Sequence, residues 1–186
     1  MRNLQAKMFD KKASDLKNKP DQILEALELQ QGQYVADIGA GGGYFSLRFA
    51  EVVGKKGKVY AVDTNQGFLE FIENDIKLRI DNVQTILVSN GAPALPTKVD
   101  LVFMRNICHH LSNRVEYFRK LRHSLKQEGS VAIIEYKRAK PFTFRGIFGH
   151  YILPETIIEE MKEAKYRVHR TFDFLPEQSF TIFLPS

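Results

Sequence analysis

Residues 35–46 read VADIGAGGGYFS, and four of the five positions from 39 to 43 are glycine. The stretch joins an apolar run, QYVADIG (33–39), to GYFSLRFAEVV (43–53), where Phe45, Phe49 and Val52 or Val53 recur at helical spacing. It reads as the turn from a buried strand into an amphipathic helix. A tight turn needs one or two glycines; four imply backbone at positive φ and something packed directly on the main chain. The helix that follows offers unpaired N–H groups to a polar or anionic ligand.

Outward from this turn, strands alternate with helices. GKVYAVD (57–63) is a strand and GFLEFIENDIKLRI (67–80) a helix with Leu69, Ile72 and Ile76 along one face. VQTILV (83–88) is a third strand, followed by the loop SNGAPALPTK (89–98) and a fourth strand, VDLVFM (99–104). SNRVEYFRKLRHSLK (112–126) reads as a helix turning Val115, Phe118, Leu121 and Leu125 inward, and GSVAIIEY (129–136) as the fifth strand. PETIIEEMKEA (154–164) is a helix with Ile157, Ile158 and Met161 inward, and YRVHRTFDF (166–174) and SFTIFL (179–184) are closing strands. An extra helix, PDQILEALEL (20–29), precedes the first strand. The alternation predicts an α/β fold, a doubly wound, mostly parallel seven-stranded sheet ending in an antiparallel hairpin. One domain is expected over residues 1–186: an N-terminal lid and helix (1–30), a core (31–136), and a roof with the terminal hairpin (137–186).

Composition is that of a globular chain, with 44% hydrophobic and 26% charged residues. No apolar run reaches the roughly 18–20 residues of a membrane span, and MRNLQAKMFDKK lacks the apolar segment of a signal peptide. A cytoplasmic protein is expected. The single cysteine, Cys108, offers neither an internal disulfide nor metal-ligand spacing, so no metal site is expected. Charge is uneven. Residues 1–20 carry Arg2, Lys7, Lys11, Lys12, Lys17 and Lys19 against Asp10 and Asp15, and 137–150 carry Lys137, Arg138, Lys140 and Arg145 with no acid. Both segments suit an anionic partner or simple solvation.

The glycine register narrows the ligand. A dinucleotide fingerprint G-x-G-x-x-G counted from Gly39 and Gly41 places its third glycine at Tyr44, and a P-loop requires a lysine that is absent. What fits is D-x-G-x-G-x-G, formed by Asp37, Gly39, Gly41 and Gly43 around Ala40. With this motif the sequence resembles the class I S-adenosylmethionine-dependent methyltransferases, whose fold is Rossmann-like. It is most similar to their small-molecule branch, which includes ubiquinone and menaquinone biosynthesis enzymes. The resemblance covers residues 20–136 well and the ends loosely.

The resemblance implies S-adenosyl-L-methionine as cofactor, held by Asp37, Gly39, Ala40, Gly41 and Gly43. It implies that Asp63, ending VYAVDTN, accepts hydrogen bonds from both ribose hydroxyls, with Thr64 beside the adenine. In VSNGAP, Asn90 stands where the family has an acid near the adenine amine, with Gly91 next to it. FMRNICHHL matches the end of the fourth strand, where Arg105 and Asn106 would line the methionine part. LKQEGSVAIIE looks like the family's L-K-P-G-G turn, with glutamine and glutamate replacing proline and one glycine.

Methyl transfer asks mainly for collinear positioning, plus a general base where the acceptor's proton has a high pKa. His150, just before PETIIEEMKEA as in plant-type O-methyltransferases, and His110, after the fourth strand, are the candidate bases; His109 ranks below them. His123 and His169 read as surface residues. The residues Arg105-Asn106-Ile107 are not the D/N-P-P-Y motif of amino-group enzymes, and Cys108 lacks the context of a cytosine carbon-5 nucleophile. One cysteine is too few for arsenite chemistry, and Arg105 stands where a metal-dependent catechol enzyme would want acids.

The segment PFTFRGIFGHYIL (141–153) mixes aromatics with Arg145 and suits a roof over a hydrophobic or aromatic acceptor bearing an anionic group. It also suits peripheral membrane contact. The expected function is methylation of a small molecule. The alternatives are an RNA methyltransferase using the basic ends, against which the lack of an RNA-binding domain argues, and a non-catalytic cofactor-binding module.

Overall fold

The computed structural model describes residues 4–76, 80–89, 91–137 and 151–186. Its strands form one seven-stranded sheet in the order β3-β2-β1-β4-β5-β7-β6. Contacts divide the chain into two units, Met1–Asn90 and Gly91–Ser186.

The first unit opens with α1 (Leu4–Ser14), a 3-10 turn (Leu16–Asn18) and α2 (Pro20–Ala26). Then come β1 (Tyr34–Ile38), α3 (Tyr44–Val53), β2 (Lys58–Asp63), α4 (Gln66–Ile76) and β3 (Val83–Leu87). Strands β1, β2 and β3 are parallel, with Ile38 opposite Val62 and Asp63 opposite Leu87. The two acids Asp37 and Asp63 thereby come to the carboxyl ends of neighbouring strands. Helix α3 buries Phe45, Phe49 and Val53, a strict i, i+4, i+8 row, and leaves Val52 37% exposed, which settles the choice between the valines. Leu69 and Ile72 anchor α4.

The second unit holds β4 (Val99–Arg105), a 3-10 turn (Cys108–His110), α5 (Arg114–Leu121), β5 (Leu125–Tyr136), α6 (Pro154–Glu163), β6 (Tyr166–Phe172) and β7 (Gln178–Pro185). Strands β4 and β5 are parallel, while β7 runs antiparallel to both β5 and β6, giving the expected terminal hairpin. Edge strand β6 exposes Arg167, His169 and Arg170, charges that discourage pairing with another chain.

Two expectations need correction. The helix read through Lys126 stops at Leu121, and a 3-10 turn (Arg122–Ser124) carries the chain into β5. Leu125, expected on that helix, is extended and pairs with Val99. Register then jumps, so that Leu101 faces Ser130. At this irregularity a Cβ on Gly129 would lie 2.9 Å from the Val99 carbonyl oxygen, which is why the strand needs glycine there. The second correction is α1 itself, a helix over residues that carry no buried apolar row.

Candidate functional site

The glycine turn closes through the main chain. The N–H groups of Gly39 and Ala40 both donate to the Val62 carbonyl, at 2.8 and 3.1 Å, and Gly43 N–H donates to the Ala40 carbonyl at 2.9 Å. Gly39, Gly41 and Gly43 have φ of 78°, 56° and 89°, in the left-handed region that favours glycine. Gly42 is needed for a different reason: a Cβ there would lie 2.4 Å from the Ala6 carbonyl oxygen and 2.6 Å from Asp10 Cβ. Helix α1 thus rests on the turn, and Phe9, edge-on to Phe68, comes within 3.6 Å of a Cβ built on Gly41.

The two acids do different work. Asp37 is 4% exposed, and its Oδ2 accepts from Ser46 Oγ at 2.6 Å, which braces the end of β1 against the first turn of α3. Asp63, also buried, accepts from Gly41 N–H through Oδ2 and from Asn65 N–H through Oδ1, each at 2.9 Å. An ionised carboxylate has about four acceptor positions. Two of Asp63's are taken by backbone, and two remain for vicinal hydroxyls, so the residue fits a ribose. Thr64 follows on the exposed surface. Asn65 accepts from Gly67 N–H at 2.9 Å, ordering the entry to α4.

The second unit carries the remaining candidates. Arg105, half-buried, ends β4, and Asn106 after it takes φ 56°. That strained backbone is held by Asn106 N–H donating to the Ile134 carbonyl at 2.8 Å, and by Gln178 Nε2 donating to Asn106 Oδ1 at 2.6 Å. Gly91 has φ 83° with open space around it. Asn90 and His150 lie outside the described residues.

The two described histidines after β4 differ in burial. His110 is exposed, and its ring centroid lies 4.1 Å from that of His109. His109 is the enclosed one: its Nδ1 lies 3.0 Å from Oε1 of Glu135, a carboxylate with no solvent exposure. The distance is that of a hydrogen bond, but the ring N–H is not aimed along it. Glu135 Oε2 also receives His109 N–H at 3.4 Å, and Oε1 accepts from Tyr136 N–H at 3.0 Å. Glu135 was missed in the sequence, where its signal is an acid near the end of the apolar run VAIIEY. Nearby, Arg114 of α5 grips Glu160 of α6 in a two-pronged contact, 2.6 Å at both Nε and Nη2, which holds the guanidinium charged.

Cys108 is buried, and burial first, then the Glu135 charge, pushes its thiol well above the ordinary range. The thiolate needed for attack is therefore scarce near neutral pH. A thiol titration of the folded protein with an aromatic disulfide is expected to count no cysteine until denaturant is added. Prompt reaction in native buffer would show Cys108 open to solvent. Among the described residues no group of three or more His, Cys, Asp or Glu side chains could hold a metal ion, and no helix is long and apolar enough to cross a membrane.

Residues 29–175 match the family described as "Methyltransferase domain". The chain belongs to that family. Its fold is the Rossmann-like one of the class I S-adenosylmethionine-dependent methyltransferases. It is similar to a protein-L-isoaspartate O-methyltransferase of Methanosarcina mazei, 36% identical over 74 residues, which are 40% of this chain and 30% of the relative. It is also similar to a demethylmenaquinone methyltransferase of Geobacillus stearothermophilus, 26% identical over 133 residues, 69% of this chain and 56% of the relative. The chain thus spans about a third to a little over half the length of these curated relatives. A solved S-adenosylmethionine-dependent methyltransferase from Aquifex aeolicus superimposes with a TM-score of 0.86, at 24% identity and 97% coverage of both chains; at that identity the likeness concerns the fold.

Proposed function

We propose that this chain, working in the cytoplasm as one methyltransferase domain, transfers a methyl group from S-adenosylmethionine to a small-molecule acceptor. The observation that carries the reading is the Asp63 carboxylate, fixed by Gly41 and Asn65 at the end of β2 with acceptor positions to spare. The bound donor supplies an electrophilic methyl group on a sulfonium. The chain's part is to hold it. Asp63 takes both ribose hydroxyls, the Gly39–Gly43 backbone admits the cofactor without side chains, Asp37 braces that backbone through Ser46, and Thr64 lies beside the adenine. Asn90, Gly91 and Arg105 keep the roles that the resemblance implies, near the adenine amine and the methionine part. His110 or His150 accepts the acceptor's proton where the nucleophile is a hydroxyl or phenol.

The test is calorimetric. S-adenosylhomocysteine should bind with micromolar or tighter affinity, and NAD should neither bind nor compete. Asp63→Ala removes two hydrogen bonds to a charged acceptor, each worth about 1.5–3 kcal/mol, so affinity should fall by at least about 100-fold. A loss below about threefold would place this carboxylate elsewhere. NAD binding without S-adenosylhomocysteine binding would overturn the assignment of the donor.

A further inference from the structure

Helix α1 has two faces of opposite character. Inward, Ala6 is buried and its carbonyl oxygen, with Asp10, occupies the space over Gly42. Outward, one helical stripe runs Leu4, Met8, Lys11, in which Leu4 is 80% and Met8 57% exposed. Lys7, on the adjoining row, is exposed as well. The 3-10 turn after α1 adds Leu16, 79% exposed, and an exposed Lys17. Of the two acids in this segment, Asp10 faces the glycine turn, and the Asp15 carboxylate is engaged by Lys17 N–H at 3.0 Å. The outward surface is therefore apolar at its centre with cations in excess around it, Lys7, Lys11 and Lys17 against the exposed Asp15.

We infer that the outward face of α1 and the turn after it, Leu4, Lys7, Met8, Lys11, Leu16 and Lys17, docks the protein on the surface of an anionic lipid bilayer. The charge is complementary: lysines at the rim meet negative headgroups while unbranched and γ-branched apolar side chains enter the acyl boundary. A nucleic acid shares the negative charge but recruits aromatic platforms for its bases. The aromatic residue of this helix, Phe9, is 36% exposed and packs edge-on against Phe68, with ring centroids 5.6 Å apart, so it offers no free ring face as a platform on the Leu4–Met8 stripe. Leucine and methionine at the centre of the patch favour lipid. Because the inward face of the same helix sits on the glycine turn, docking would bring that turn to the membrane surface.

The experiment is vesicle flotation of the full chain, read without any methyl acceptor, so its outcome is independent of the catalytic reading. Vesicles of phosphatidylcholine with phosphatidylglycerol should carry the protein up the gradient, and phosphatidylcholine alone should not. Raising salt to 0.5 M (about a threefold shorter Debye length than at 0.05 M) should weaken binding at least about tenfold. Two paired variants separate the contributions. Lys7→Glu/Lys11→Glu should lose at least about tenfold by charge, and Leu4→Ser/Met8→Ser at least about fivefold by apolar insertion. All four side chains are exposed, so both variants should melt as the wild type does. Three results overturn the inference: no flotation with anionic vesicles, flotation that neither variant changes, or binding of tRNA that depends on Lys7 and Lys11 but not on Leu4 and Met8.

Discussion

Gly41→Val is expected to remove S-adenosylhomocysteine binding, a loss of at least about 100-fold, while the protein stays folded. At φ 56° a β-branched residue occupies a region that L side chains rarely adopt, at a cost of about 1–3 kcal/mol. The first added atom meets no hard obstacle, since the nearest neighbour of a Cβ at this site is Phe9 Cβ at 3.6 Å. The turn therefore shifts rather than the fold failing, and the shift moves the N–H that holds Asp63 Oδ2. On the proposed donor site, backbone approach and the carboxylate that would take the ribose are lost together. The melting temperature should fall by only several degrees, at about 2–4 °C per kcal/mol for a chain of this size. Gly43→Val is the contrasting change: a Cβ there would lie 2.7 Å from Cγ1 of buried Ile72, so it should act on stability first. Normal donor affinity in a folded Gly41→Val protein would show that the cofactor does not pack on this turn.

The glycine turn was legible because its requirement is local: left-handed backbone at Gly39, Gly41 and Gly43 can be met within a few residues. The order of strands and helices was legible for the same reason, since each buries its own periodic row. What escaped the sequence depends on distant partners. Leu125 continues the i, i+4 spacing of α5 from Leu121, and only its pairing with Val99 shows that the chain has already become β5. Helix α1 has Ala6 alone as a buried hydrophobic, because apart from the edge contact of Phe9 with Phe68 it packs on the main chain of a glycine turn, so no periodic apolar row marks it. Glu135 looked like an acid at a strand end; its meaning comes from His109, which reaches it from the turn after β4.

That contact also sharpens the choice of base, and the expected result is a split between neighbouring histidines. His110→Gln should slow the chemical step by roughly 10²–10⁴ when the acceptor is a hydroxyl or phenol, as expected for loss of a general base. Because His110 is exposed, the same change should shift the melting temperature less than His109→Leu does and leave S-adenosylhomocysteine affinity within error. His109→Leu should behave in the opposite way. It removes the imidazole 3.0 Å from Glu135 and leaves that fully buried carboxylate only its two main-chain donors, the N–H groups of residues 109 and 136; losing a polar neighbour there costs about 1–3 kcal/mol. Thermal unfolding should therefore drop by several degrees, and adding Glu135→Gln to His109→Leu should recover part of the loss, which a double-mutant cycle measures as coupling. His150→Gln, assayed beside them in single turnovers across pH, tests the other candidate base. A wild-type rate and pH profile for both His110→Gln and His150→Gln would leave positioning of donor and acceptor as the source of the rate, since in-line transfer to an already good nucleophile has no proton to remove.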